Sequence, residues 1–160
     1  MIVGQAESYL FFVNFMLCMS LAYLSYRDIT ARLLPNRVIY PLTLLAFFLP
    51  RELIMLSYTD QLVGILCGLS FIAAIDAIYQ KLRDRPGIGM GDAKLFGCAG
   101  AYLGPLALPY VLVIALCSGI IVWLLNKKRH NTQDAIPFGP FLALGFIIIW
   151  FLSQRGTLSL

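Results

Sequence analysis

The chain alternates long apolar stretches with short charged segments. A helix needs about 20 consecutive apolar residues to cross a bilayer, and charged residues rarely lie inside such a stretch. Placing boundaries at the charged segments predicts six spans, over residues 9–26, 38–56, 61–79, 90–103, 106–125 and 137–153. Pro41 and Pro50 interrupt the second span, so we expect its far end to be broken or tilted. The pattern therefore predicts an all-α polytopic membrane protein with about six transmembrane helices.

The fourth predicted span is short. Gly104 and Pro105 break the apolar region, and its part between Lys94 and Pro105 has only ten residues. Ten residues give about 15 Å of helix, against a hydrocarbon core of about 30 Å. We therefore expect the glycine-rich segment before Asp92 to lie within the membrane thickness, shielded by protein or lining a wet cavity.

The composition fits a membrane environment. Of 160 residues, 60% are hydrophobic and 12% are charged, whereas soluble domains average about 45–50% and about 25%. No basic residue precedes the first apolar stretch and no small-residue cleavage site follows it, so we expect residues 9–26 to remain as a helix. No linker separates the spans, and residues 1–160 are predicted to form a single transmembrane domain.

The cysteines and the single histidine do not suggest a metal or cofactor site. The four cysteines lie singly in apolar segments, without the CxxC pair that binds zinc or forms a redox couple. They are predicted to be small packing residues: Cys18, Cys67, Cys98 and Cys117. His130 lies in a charged loop, where a solvated side chain is favoured over a ligand. We expect no metal and no cofactor.

Basic residues are divided unequally between the two sides of the predicted bundle. Ten Lys and Arg residues fall around the loops after spans one, three and five, and only Arg51 and Arg155 fall on the other side. The positive-inside bias then makes those three loops cytoplasmic and places both termini outside. Membrane lipid is the expected surrounding, and the net charge of +4 needs no nucleic-acid partner to explain it.

Two aspartates fall at the cytoplasmic ends of separate spans. Asp28 ends the first span and Asp92 begins the fourth, so their carboxyl groups can meet at one depth. A close carboxyl pair shares one proton, because adjacent like charges cannot both form. The ionised group can accept a proton from water while the protonated group polarises a peptide carbonyl. Alternatively, Asp28 pairs with Arg27 or Arg32, and Asp92 caps its helix.

Three sequence blocks occur in an order that resembles a known family. They are Asp28 followed by LLPN at 33–36, GMGDAKL at 89–95 and IPFGPFLALG at 136–145. Together they resemble the type IV prepilin peptidases, a GxGD class of intramembrane aspartyl proteases, over about residues 21–144. The resemblance implies an enzyme of the bacterial inner membrane that removes the leader of prepilins or pseudopilins, after a glycine, at the cytoplasmic face. Asp28 and Asp92 would be its catalytic pair.

The resemblance also points to residues around this pair. Site-shaping or substrate-contacting roles are implied for Pro35, Asn36, Gly89, Gly91, Lys94, Pro137 and Gly139. Lys94 would either tune the ionisation of the pair or extend to the interface. The block 137–140 would either shape the site or form a structural kink. Asp76 is expected to pair with Lys81 or Arg83 rather than to act as a third acid.

The chain departs from larger bacterial members of this family. It lacks the additional cytoplasmic region with paired cysteines that accompanies N-methylation, so it resembles the short, protease-only form and N-methylation is not expected. On the residues alone, two other classes stay open: a small channel or transporter subunit that uses the acids as an ion path, and a catalytically silent assembly factor of a pilus or secretion machine. Neither class predicts peptide cleavage that depends on Asp28 and Asp92.

Overall fold

The regular structure in the described part of the chain is α-helical, apart from one short 3-10 segment. A computed structural model describes residues 2–50, 56–83, 89–126 and 137–155. Its helices are α1 (Ile2–Ala31), α2 (Asn36–Phe48), α3 (Tyr58–Arg83), α4 (Met90–Leu103), α5 (Leu108–Asn126) and α6 (Gly139–Gln154), with the 3-10 segment Pro105–Ala107 before α5. The predicted all-α fold is confirmed. The predictions for Arg51, His130 and the basic residues at 85 and 127–129 lie outside the described residues.

The helices differ in whether they are long enough to cross a membrane. Three segments of the described chain combine sufficient length with apolar composition: Ser8–Ala31, Tyr58–Leu82 and Pro105–Leu125. Asn36–Phe48 and Gly139–Gln154 are apolar but shorter, and α4 has 14 residues. The fourth predicted span has the bounds of α4. The second is shorter than predicted, because α2 ends at Phe48.

Helix α4 forms the centre of the bundle. It contacts α3 over the largest area and also packs against α2 and α6. From Asp92 to Leu103 every residue except Lys94 is buried, including the large side chains of Phe96 and Tyr102. The ring of Tyr102 also packs edge-on against the Trp150 ring of α6, with the centroids 5.5 Å apart. This short helix is thus shielded by the helices around it.

Glycines allow α3 and α4 to touch through their backbones. Gly64 and Gly100 face each other so closely that a Cβ on either residue would overlap the carbonyl oxygen of the other. A Cβ on Gly68 would lie 2.7 Å from the carbonyl oxygen of Phe96. The two helices therefore pack closely through small residues. It sets the two helices antiparallel and in one register.

Buried side-chain polar groups join neighbouring helices. The carbonyl of Ala46 lies four residues before Pro50, which has no N–H to donate, and the Gln61 side-chain amide donates to that carbonyl at 3.0 Å. On the other side of the bundle, the indole N–H of Trp150 donates to Asn14 Oδ1 at 2.7 Å. In an apolar surrounding such bonds favour one arrangement of the helices, because an unpaired polar group is costly there.

The four cysteines are free and occupy different environments. Cys98 is buried in α4, Cys18 is half-buried, and Cys67 and Cys117 are exposed. The predicted packing role holds for Cys98. It is wrong for Cys67 and Cys117, whose small apolar side chains lie on the outer surface of the bundle.

Candidate active site

Asp28 lies in the last turn of α1 and is 7% exposed. The helix closes just beyond it: Arg32 adopts a left-handed conformation with φ of 51°, and its N–H donates to the Asp28 carbonyl at 2.9 Å. The Asp28 side chain points to α6, where Oδ2 accepts a hydrogen bond from the Gly139 N–H at 2.9 Å. The first and last helices are therefore joined directly at this carboxylate.

Asp92 lies in the first turn of α4 and is also 7% exposed. Its N–H donates to the Gly89 carbonyl at 2.9 Å, which closes the first turn of the helix. The side-chain atom Oδ1 is buried and accepts no hydrogen bond from the described residues. Oδ2 faces Gly89, where an added Cβ would lie 3.9 Å away. Because Gly89 is exposed, one oxygen of Asp92 borders the outside of the bundle.

The two aspartates meet at the same end of the bundle. They are close enough for their charges to interact, although α1 and α4 are far apart in sequence. The segment after α1 also contacts α4, since a Cβ on Gly91 would lie 2.8 Å from Cβ of Leu34. The predicted proximity of Asp28 and Asp92 is thus present in the fold, and Gly91 has a packing role in maintaining it.

The depth of Asp92 follows from the contact between α3 and α4. Continuing the antiparallel register set by their glycines places Asp92 level with Ile72, about 16 Å before the end of α3 at 1.5 Å per residue. Asp92 therefore lies within the length of the candidate membrane span Tyr58–Leu82. This position agrees with the expectation that the glycine-rich segment lies below the membrane surface.

Lys94 is directed to α2 rather than to the aspartate pair. Its Nζ donates to Asn36 Oδ1 at 2.9 Å and lies 5.6 Å from the centre of the Tyr40 ring. Pro35 precedes α2, and its carbonyl accepts the Val38 N–H at 3.0 Å. The structure therefore gives Asn36 and Lys94 a shared role in joining α2 to α4, and gives Pro35 a role in starting α2.

The residues around the start of α6 have separate positions. Gly139 touches the site, because a Cβ there would lie 2.7 Å from Asp28 Oδ2. Pro137 is half-buried and lines an apolar cavity of about 210 Å³ between α5 and α6, together with Phe138 and Trp123. Of the two sequence-predicted residues in this block, Gly139 lies at the aspartates and Pro137 lies at the neighbouring cavity.

Asp76 lies one element away from the pair, in the last third of α3. Its Oδ2 accepts a hydrogen bond from the Gln80 side-chain amide at 2.7 Å. Gln80 lies one helical turn after Asp76, so this bond holds the carboxylate against its own helix. The pairing of Asp76 with Lys81 or Arg83 stays a prediction. No group of three or more His, Cys, Asp or Glu side chains able to hold a metal ion occurs within residues 2–50, 56–83, 89–126 and 137–155.

Sequence reasoning missed one contributor to the site and described another only in part. The missed contributor is the main-chain N–H of Gly139, because sequence blocks mark the residue but not the direction of its amide. The glycine between Pro137 and Pro140 was a usable signal for it. The second contributor is Arg32, which the sequence offered as a pairing partner of Asp28 and whose charge acts on that carboxylate. Its left-handed conformation, which is unusual for a side chain of this size, was not predicted.

Comparison with known proteins gives relatives that are named leader peptidases. A "Prepilin leader peptidase/N-methyltransferase" of Burkholderia pseudomallei (strain 1026b) is 35% identical over 133 residues, which cover 82% of this chain and 43% of the relative. "Leader peptidase HopD" of Escherichia coli is 32% identical over 122 residues, which cover 74% of this chain and 79% of the relative. The chain thus spans less than half of the Burkholderia protein and most of the second relative.

The comparison also includes family models and solved structures. No solved structure matches the chain. The model described as "Type IV leader peptidase family" matches residues 15–124, which include the C-terminal part of α1, all of α2 to α4 and most of α5, with both aspartates. The chain is an integral membrane protein and belongs to the type IV leader peptidase family.

Proposed function

We propose that this protein is a membrane aspartic endopeptidase that removes the leader peptide of type IV prepilins or pseudopilins. The main support is the meeting of two buried aspartates, Asp28 and Asp92, from helices that are distant in sequence. Family membership supplies the substrate class, because the relatives are named for prepilin leader processing. The bond that is cut would follow a glycine of the leader.

The proposed chemistry is hydrolysis by a carboxyl pair that shares one proton. The ionised carboxylate accepts a proton from water, and the water oxygen attacks the peptide carbonyl carbon. The protonated carboxyl group donates to the carbonyl oxygen, where negative charge develops. Gly89 leaves space beside Asp92 Oδ2, so an extended peptide backbone can approach the pair there.

The proposed site lies at the cytoplasmic face of the bacterial inner membrane. Ten of the 12 Lys and Arg residues fall around the loops after the first, third and fifth predicted spans, which share a side with the aspartates. Such an excess marks the cytoplasmic side. Membrane lipid would surround the bundle.

The test is leader removal in cells that express a prepilin with each variant of this protein. We expect Asp28→Asn and Asp92→Asn each to abolish the gel shift that marks leader removal, because each substitution removes a group that transfers a proton. Asp76→Asn and Asp60→Asn are the matched controls: Asp76 bonds Gln80 and Asp60 accepts the Ser57 N–H. Both controls should retain cleavage.

The same experiment separates this proposal from the other classes. Processing that survives Asp28→Asn or Asp92→Asn, in protein that reaches the membrane in normal amount, would reject the protease. Loss of processing in Asp76→Asn alone would mean that a different pair of acids carries the reaction.

A further inference from the structure

The two carboxyl groups of the candidate site have unequal surroundings. Asp28 Oδ2 accepts a main-chain N–H at 2.9 Å, whereas Asp92 Oδ1 is buried without a donor among the described residues. A hydrogen bond donated to a carboxylate stabilises its ionised form, and burial without a donor favours the neutral form. We propose that Asp28 is the ionised general base of the pair, that Asp92 carries the shared proton, and that Gly139 and Arg32 are positioning residues that maintain this division. The inference rests on the proposed protease function.

One positive charge is shown to act on Asp28, that of Arg32, which follows the end of α1. Arg27 precedes Asp28 in α1. Of the helices that pack against α1, α2 contributes Arg37 at its start, while α6 contributes the amide of Gly139 and has Arg155 only at its opposite end. These groups outweigh the unfavourable C-terminal end of α1, because a direct bond to a carboxylate is stronger than the dipole of a helix end.

The groups around Asp92 give its charged form less support. Lys94 is the nearest cation in α4, but its Nζ is bonded to Asn36 Oδ1. Asp28 faces Asp92 with a like charge. The N-terminus of α4 favours an anion, yet this effect is weak without a bond to the carboxylate. A proton on Asp92 removes both the like-charge repulsion and the cost of burying a second charge.

When Asp28 is ionised and Asp92 is protonated, each carboxyl group has a defined direction of proton transfer. Asp28 accepts a proton from water as the water oxygen bonds to the carbonyl carbon, and Asp92 donates its proton to the carbonyl oxygen. The product of this step is a neutral gem-diol. When the C–N bond breaks, Asp28 returns its proton to the leaving nitrogen and Asp92 regains a proton from one diol hydroxyl. The net reaction consumes one water and leaves both carboxyl groups in their initial states.

Substitutions at Arg32 test the role of Asp28 while both carboxyl groups stay unchanged. Glycine is the residue for which a left-handed helix end is least costly. An arginine with φ of 51° therefore occupies this position at a conformational cost. We infer that its charge is what the position requires. Arg32→Lys preserves the charge, and Arg32→Gln removes it with a side chain of related length.

The protonated group can be identified by infrared spectroscopy of protein labelled with carboxyl-¹³C aspartate. At a pH where the enzyme is active, we expect the band of a protonated carboxyl group in the wild type and in Asp28→Asn, and its loss in Asp92→Asn. Loss in Asp28→Asn, or in both variants alike, overturns the assignment. The infrared band does not depend on cleavage. The assignment of the proton to Asp92 can therefore fail even if cleavage requires both aspartates.

The Arg32 variants test the assignment without altering either carboxyl group. The acidic limb of kcat/KM against pH reports protonation of the base. Losing a nearby positive charge makes Asp28 easier to protonate, so Arg32→Gln should move this limb to higher pH by about half a pH unit. Arg32→Lys should restore the wild-type limb. An unchanged limb in Arg32→Gln, or equal shifts in both variants, rejects Arg32 as a positioning residue.

Discussion

At the scale of single residues, two glycines border the two aspartates with different amounts of space. An added Cβ would lie 2.7 Å from Asp28 Oδ2 at Gly139, but 3.9 Å from Asp92 Oδ2 at Gly89. The first distance is a collision and the second is ordinary contact. We therefore expect Gly139→Ala to displace the Asp28 carboxylate and lower the cleavage rate by about 100-fold, the cost of misplacing a reacting group by about 1 Å.

Gly89→Ala is the matched control for this prediction. It makes the same chemical change at the same site, and Gly89 has φ of −65°, which alanine adopts without strain. It should retain the thermal stability of the wild type in detergent and most of its kcat, because the added methyl group leaves both carboxyl groups in place. Narrowing the approach of the peptide should raise KM instead. Equal kcat in the two alanine variants would show that the Gly139 contact does not position Asp28.

The sequence predicted which residues meet at the site, but not how they are bonded. Asp28 and Asp92 could be paired because charge-bounded spans put both at one side of the membrane. The Gly139 N–H could not be assigned to Asp28, since its direction depends on where α6 packs against α1. The same limit applies to Lys94: the family resemblance suggested either a tuning role or an interfacial position, whereas its Nζ bonds Asn36.

At the scale of helices, the backbone contact between α3 and α4 determines where Asp92 lies. Gly64 and Gly100 are in contact through their main chains, and the obstacle to a side chain at either position is a carbonyl group that cannot rotate away. Gly64→Ala and Gly100→Ala should each lower the free energy of unfolding by about 1–3 kcal/mol, as overpacking does in a tight interior. Thermal unfolding in detergent measures this loss.

Gly119→Ala in α5 is the control for the helix contact. A Cβ there would lie 3.6 Å from the Phe141 ring, so the methyl group fits without displacing the backbone. It should be as stable as the wild type. If all three alanine variants were equally stable, α3 and α4 could separate without cost, and the register that places Asp92 beside Ile72 would not be fixed by these glycines.

Helix boundaries were predicted well where a backbone signal ends the helix, and poorly where only charge does. Helix α4 has its predicted end because Gly104 adopts φ of 75°, and Pro50 explains the early end of α2. Helices α1 and α3 continue to Ala31 and Arg83, beyond the predicted spans. Charged residues limit how much of a helix lies in lipid, but they do not stop the helix itself.

At the scale of the whole molecule, the number of membrane crossings between Asp28 and Asp92 decides whether the site can form. Asp28 and Asp92 reach the same side only if an even number of crossings separates the end of the first span from the start of the fourth, and the predicted second and third spans provide two. The side was therefore predictable from hydropathy. Span length predicted only that the loop before Asp92 lies within the membrane thickness. The level of Asp92 along α3 depends on the register between α3 and α4, which arises from glycine contacts that hydropathy does not record.

The orientation of the whole bundle can be tested by cysteine labelling. In a variant whose native cysteines are replaced, single cysteines are introduced at the exposed positions Arg37, Lys81, Tyr58 and Arg155. Because basic residues are retained on the cytoplasmic side, Arg37→Cys and Lys81→Cys should react with a membrane-impermeant maleimide only after the cells are permeabilised. Tyr58→Cys and Arg155→Cys should react in intact spheroplasts.

Native Cys67, kept as the single cysteine, is the control for this experiment. It is exposed on the bundle but lies in the middle of the candidate span Tyr58–Leu82, where lipid should shield it from the reagent on both sides. Labelling of Cys67 in intact cells would mean that α3 does not cross the membrane. The reverse pattern at the four introduced positions would place the aspartates at the outer face, where a leader that remains in the cytoplasm could not reach them.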